Sequence, residues 1–144
     1  MFMKQTVLPT SPGSVVETYP TEFQFVREPS YTHKLNIERN KVVGYVDGSE
    51  AYKQAIYKIL NTERYEYVIY SWNYGVEFKD LIGESIYYVV PELERRITEA
   101  IMQDDRTVAV SNFDFDTSKR GIVHVTFTAT SIYGEEIIKT EIEV

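Results

Sequence analysis

The acidic residues are the first place to look for chemistry. Asp114 and Asp116 flank Phe115, and alternate residues of a strand project to one face, a spacing at which two carboxylates can grip a divalent cation. The pair runs into Thr117-Ser118-Lys119-Arg120-Gly121, which has turn composition, and no third ligand follows. A solvated strand end is the better reading, and no metal is assigned. Glu63, Glu66 and Glu77 surround an aromatic-rich segment and are the carboxylates that best suit a glycosidase. That chemistry needs two carboxyl groups roughly 5 or 6.5–9.5 Å apart, one with its pKa raised by burial. Spacing alone places no pair across a cleft, so a peptidoglycan-cleaving enzyme stays as the alternative function. His33 and His124 are the only histidines. His124 falls on the strand face opposite Val123 and Val125, which suits a surface or interface residue better than a general base. Ser11, Ser14 and Ser49 lack a nucleophile-elbow context, and the glycines form neither a phosphate loop nor a dinucleotide fingerprint. With no cysteine, thiol nucleophiles, disulfides and thiolate metal sites are excluded together. No catalytic residue and no cofactor is assigned.

The aromatic residues are more informative. Eight of the twelve tyrosines lie between Tyr52 and Tyr88, together with the single tryptophan, Trp72. Aromatic side chains with polar tips give large contact area and a hydrogen-bonding handle, as interface anchors do, and a stabilising core uses the same residues. The set divides accordingly. Tyr52 sits on an apolar helical stripe and is expected to face inward, whereas Tyr67, Trp72 and Tyr74 are expected at an interface.

These side chains need a scaffold. A chain of 144 residues, 43% hydrophobic and 26% charged, has the length and composition of one compact domain. Absence of cysteine suits folding in a reducing cytoplasm. No apolar run approaches the roughly 20 residues that span a bilayer, and the first residues lack the build of a signal peptide. A net charge of −7 repels phosphate backbones and anionic lipid, so neither nucleic acid nor membrane is an expected partner. The densest basic stretch, Glu94-Arg95-Arg96, falls in a helical pattern and reads as a solvated face.

Residues 1–22 carry Pro9, Pro12, Gly13 and Pro20 among Ser and Thr, the composition of an extended arm or of a loose terminus. Residues 23–144 are expected to form a single α+β domain. Residues 22–26 alternate like a strand, and residues 34–37 and 42–46 flank a turn as a hairpin. Tyr52, Ala55, Ile56, Ile59 and Leu60 form the stripe of a helix over 49–61, with Asp47 and Glu50 as a capping box. Residues 65–72 read as a strand or an extended connection, and residues 77–82 as a short helix ending at Gly83. Leu93, Ile97, Ala100 and Ile101 define a second main helix, in which Pro91 either opens the first turn or kinks a longer helix. Val108 and Val110 share one parity while Phe113 and Phe115 share the other, which predicts a bulge near Ser111-Asn112. Val123, Val125, Phe127 and Ala129 then line one face of a strand. Ile138, Ile142 and Val144 line the same face of the next, joined through Tyr133-Gly134. The expected architecture is two helices packed on antiparallel sheet, ending in a three-stranded meander with a free edge.

The run from Val46 to Arg64, continuing through Tyr70-Ser71-Trp72-Asn73-Tyr74-Gly75, resembles the tail proteins of PBSX-type defective prophages of Bacillus and its relatives. More distantly it is similar to the lysozyme-like baseplate wedge family of contractile phages and of type VI secretion. The shared scheme is Leu60-Asn61-Thr62, Tyr74-Gly75, a second helix, and an acidic-x-Arg step at Asp104-Asp105-Arg106 into terminal strands. Where that wider family carries Glu-Pro-Arg, this chain lacks the proline. The resemblance implies a non-enzymatic baseplate component that binds wedge proteins and starts assembly of the tail sheath, with the tail tube or hub as further neighbours. It would act first in the bacterial cytoplasm and then in the tail particle. An adaptor of unrelated machinery is the third reading. Arg106, a planar fork suited to carboxylates, becomes the expected wedge contact, with a local ion pair to Asp104 or Asp105 as the alternative.

Overall fold

A computed structural model of the chain describes Arg27 and residues 29–144. The expected N-terminal arm and the strand at 22–26 lie outside the described residues. Two antiparallel sheets and two main helices follow. A hairpin pairs β1 (Thr32–Asn36) with β2 (Lys41–Val46), and a meander runs β3 (Thr107–Asp116), β4 (Ile122–Ser131), β5 (Gly134–Glu143). Between the sheets lie α1 (Gly48–Leu60), a 3-10 turn at Lys79–Leu81 and α2 (Ile86–Ile101).

The core forms where three apolar faces meet. Tyr52, Ile56 and Ile59 of α1, Leu93, Ile97 and Ile101 of α2, and Val123, Val125 and Phe127 of β4 are buried in one cluster with Ile142 of β5. Burying each large apolar side chain contributes about 1.5–3 kcal/mol before chain entropy is subtracted. Strand β4 alternates without a break between buried and half-exposed residues, as expected for a central strand with one covered face. The Asp47 carboxylate caps α1, accepting from the Gly48 amide at 2.8 Å and from the Ser30 hydroxyl. Glu50 does not complete a capping box but lies 3.9 Å from Lys34.

Several elements differ from expectation or resolve an open choice. Helix α2 starts at Ile86, so Pro91 is its sixth residue and not its opening. The proline cannot donate to the carbonyl of Tyr87; burial of Val89 in the core anchors the turn before it. The predicted bulge in β3 is present: the register shifts between Ser111 and Asp114, and Asn112 takes φ +55, a left-handed value that asparagine tolerates. The extra residue turns Val110, Phe113 and Phe115 toward the same core. A second shift between Thr107 and Ala109 leaves Val108 58% exposed, although its parity matches Val110. The expected helix at 77–82 shrinks to one 3-10 turn.

The largest difference concerns residues 65–72, which form neither a strand nor an extended connection but a succession of turns. Aromatic and branched residues favour strands because they pack on a neighbouring pleated surface, and here only a single parallel bridge, Glu63 to Val76, joins the ends of the segment. The Val76 amide donates to the Thr62 carbonyl at 2.9 Å and the Arg64 amide to the Val76 carbonyl at 3.1 Å. Gly75 passes this bridge at φ +95, and a Cβ there would sit 2.4 Å from the Thr62 carbonyl oxygen. The Thr62 and Tyr74-Gly75 elements of the sequence scheme are therefore the two sides of one closure.

Arg96 locks the following segment to α2. It is 9% exposed, contrary to the solvated face expected of Glu94-Arg95-Arg96. Its guanidinium donates to both oxygens of Asp80 at 2.5 and 3.0 Å, to the Glu77 carbonyl at 2.6 Å and to Glu92 at 3.0 Å. Arg95, on the exposed side, pairs with Glu92 and Glu99.

Both the closure and the arginine cluster can be tested by substitution. Gly75→Ala combines a disfavoured φ with a backbone clash and should destabilise the protein by about 2–4 kcal/mol in urea unfolding, whereas Gly83→Ala, with open space around it, should be milder. The neighbouring Arg95 and then Arg96 hold the Glu92 carboxyl down to about 2, from 4.5. Because the folded state binds that proton more weakly than the unfolded chain does, the stabilisation is complete above pH 4.5 and disappears as pH falls toward about 2. Glu92→Gln should flatten that part of the stability-pH curve; an unchanged acid limb would exclude this role for Glu92.

Candidate functional site

The closure at Thr62 and Gly75 presents an uncharged loop. From Tyr67 to Val76 no residue is ionised at neutral pH. Tyr70 stacks on Tyr74 at 4.4 Å between ring centroids, and Tyr67 meets Tyr70 edge-on at 6.2 Å. This aromatic spine leaves Tyr65, Tyr67, Val68, Ile69 and Trp72 exposed, Val68 completely so and Trp72 to 79%. Charged residues fix the loop's base. The Glu63 carboxylate accepts from the amides of Phe78 and Lys79, both at 3.3 Å. Glu66 pairs with Lys79 at 2.7 Å, and Arg64 donates to the Gly75 carbonyl and to Glu99. Tyr65 holds φ +66, an uncommon conformation for a bulky residue.

Beside the loop, a cleft of about 560 Å³ opens between α1, the end of α2 and the β1 entrance. Its lining includes the small residues Ala51, Ala55, Gly75 and Ala100, together with Tyr74 of the loop and Arg106. Arg106 is already engaged. It donates to the two Asp104 oxygens at 2.8 and 2.6 Å and lies over the Tyr52 ring, 5.6 Å from its centroid. Both side chains are nearly buried, 14% and 10% exposed. Burial pushes the Asp104 carboxyl up, but the bonds from the Arg106 side chain and backbone outweigh it, and the net shift is downward. The same pair raises Arg106. Beneath it the Thr107 hydroxyl donates to the Ile101 carbonyl at 2.9 Å, so the Tyr52 hydroxyl donates to Thr107, also at 2.9 Å. Tyr52 is buried as expected, and burial raises its hydroxyl pKa; the half-buried Tyr74 hydroxyl is raised for the same reason.

The four residues picked from the sequence thus occupy two adjoining features. Tyr67 and Trp72 lie on the loop, and Tyr74 and Arg106 both line the cleft. Sequence reasoning passed over Val68 and Ile69, whose place between two tyrosines signalled a strand, and Arg96, whose acidic partner Asp80 lies 16 residues away.

Most other candidates have structural occupations. The Glu63 and Glu66 carboxylates hold the loop, whereas Glu77 accepts from Arg96 through its backbone carbonyl. Asp116 accepts from the Ser118 amide at 2.9 Å as the strand enters its turn. His33 packs on Tyr45 at 4.7 Å, and His124 Nδ1 lies 3.2 Å from Glu141 across the β4–β5 pair.

The meander supplies a third feature, its outer edges. Strand β5 pairs with β4 without a register break from Gly134 to Glu143, while β3, at the other edge, carries both bulges. The loop between Ser131 and Gly134 has two residues, so hydrogen-bonded and non-hydrogen-bonded pairs alternate from that closing pair. Glu135, Ile137, Lys139 and Glu141 consequently turn their backbone N–H and C=O groups away from β4.

Comparison with known sequences identifies the family. The sequence model for the contractile injection system sheath initiator matches residues 27–134. The phage-like element PBSX protein XkdS of Bacillus subtilis (strain 168) is 36% identical over 126 residues, covering 81% of this chain and 88% of that protein. An α+β domain closing in a three-stranded meander, matched over most of its length by that family and by a PBSX protein, belongs to the contractile injection system sheath initiator family.

Proposed function

We propose that this chain is a structural, non-enzymatic component of a contractile tail baseplate that binds the wedge and offers the first site for sheath assembly through the outer edge of β5. The observation that carries the reading is the contrast between the two edges of the meander. Regular β5 presents outward-facing residues at alternate positions along its whole length, the geometry that lets an extended segment of another chain add as a new strand. Bulges blunt such pairing at β3. Backbone hydrogen bonds would give this added strand its affinity, and the exposed Ile137 beside Lys139 and Glu141 would set its register. Sheath protein is the proposed partner at this edge. The wedge is the proposed partner on the cleft side, where Arg106 acts through Asp104 to shape the cleft that Tyr74 also lines. Assembly in the bacterial cytoplasm and residence in the tail particle follow from the same proposal. Two of the three acids considered for a glycosidase, Glu63 and Glu66, have their carboxylates engaged in holding the loop, which favours the assembly reading over peptidoglycan cleavage.

Proline at an outward-facing position removes a donor that β4 does not use. Lys139→Pro should therefore leave the protein folded, with its thermal midpoint within a few degrees, yet stop sheath from forming on baseplates in electron micrographs of induced cells. Thr140→Pro, on a ladder position, should lower the midpoint itself. Full-length sheathed particles assembled with a folded Lys139→Pro protein would rule out the β5 edge as the starting site. Arg106→Ala should weaken wedge binding and leave a strand-addition peptide bound normally.

A further inference from the structure

The exposed loop is larger than a soluble surface ordinarily leaves uncovered. Tyr65, Tyr67, Val68, Ile69 and Trp72 together present on the order of 700 Å² of largely apolar surface, taking about 150–250 Å² for each aromatic when fully exposed. The largest apolar patch of a typical monomer is about 300–600 Å², and a stable protein interface takes about 800 Å² from each partner. One loop tip therefore approaches the contribution of a whole partner.

Its construction also suits insertion. The tyrosine spine and the closure at Gly75 hold the tip in one shape, so little ordering entropy remains to be lost on docking. Charge identifies the kind of surface that would receive it. The tip is uncharged, and two cations at its base, Arg64 and Lys79, are each neutralised by an acid, Glu99 and Glu66. A chain of net charge −7, with these two cations paired, lacks the attraction to anionic headgroups that interfacial membrane segments use. Two copies would bring two such negative charges together.

From these observations we propose that residues 65–72, uncharged apart from the Glu66 paired with Lys79 at the base, form a preorganised plug that inserts into an uncharged apolar groove of a baseplate wedge protein, separately from the β5 edge. This rests on the assembly role proposed above and adds to it a second wedge-facing surface beside the cleft.

Trp72 is the only tryptophan, so replacing it biosynthetically with 7-azatryptophan gives a probe at the tip that can be excited apart from the tryptophans of other proteins. The labelled full chain would be added to sheath-free baseplates purified from induced cells lacking this gene. Emission should shift to the blue, with the chain co-sedimenting. Val68→Asp/Ile69→Asp, at side chains 101% and 86% exposed, should fold normally but bind at least tenfold more weakly. Lys139→Pro should keep the shift while losing sheath. Neutral and anionic phosphatidylcholine/phosphatidylglycerol vesicles, and the chain alone at rising concentration, should leave the emission unchanged. A blue shift with vesicles or on self-association, or undiminished baseplate binding by the folded double variant, would overturn the plug. Failure of the plug with sheath assembly still blocked by Lys139→Pro would leave the β5 reading standing.

Discussion

The closure of the loop at Thr62, Arg64, Gly75 and Val76 is the constraint on which the exposed half of this molecule depends. Two backbone hydrogen bonds and a contact that admits no Cβ hold the segment's ends together. Neither bond is strong alone, since an intramolecular hydrogen bond contributes about 0.5–1.5 kcal/mol net. Their effect is multiplied because the closure shortens the free loop and aligns Tyr70 on Tyr74. Arg64 extends the same fixation to α2 through Glu99, and Arg96 extends it to the 3-10 turn through Asp80. An apolar tip is thus carried on a polar frame, with most of the frame's charges satisfied within it.

The core meets this frame at Val76 of the closure and Leu81 of the 3-10 turn, both buried in its cluster. Tyr52 joins the core to the acidic-x-Arg step. Its ring lies in the apolar cluster under Arg106, and its hydroxyl enters the relay through Thr107 to the end of α2. The acidic-x-Arg step is therefore a buried joint between helix and strand. Burying an ion pair is weak evidence for net stability, but the two parallel bonds from Arg106 to Asp104 fix how β3 leaves α2. Both residues also line the cleft that Tyr74 borders.

Legibility in the sequence followed the range of the physics. Strand β4 and helix α1 could be read because period-2 and period-3.6 patterns are local consequences of having one buried face. The bulge could be read because apolar residues that change parity within one strand can share a face only if an extra residue intervenes. The beginning of α2 could not, since Pro91 permits two outcomes and the choice rests on whether Val89 finds a core. The 65–72 segment misled because its composition favours strands in general, and what it lacked was a neighbouring strand. Of the site, Tyr67 and Trp72 were legible as exposed aromatic candidates, but the cleft joining Tyr74 to Arg106 was not. Arg96 was hidden because a buried arginine is defined by its partners, and Asp80 becomes one only after the chain has turned.

The unequal edges of the meander give the domain a polarity that neither its size nor its composition suggests. A sheet with two regular edges can be extended from either side, and a mixture of such products has no defined order. With β3 interrupted at two places and β5 regular throughout, extension by strand pairing has one direction. On the proposed reading the domain behaves as a seed with a single growing face, and a polymer begun on it inherits an orientation before its second subunit arrives.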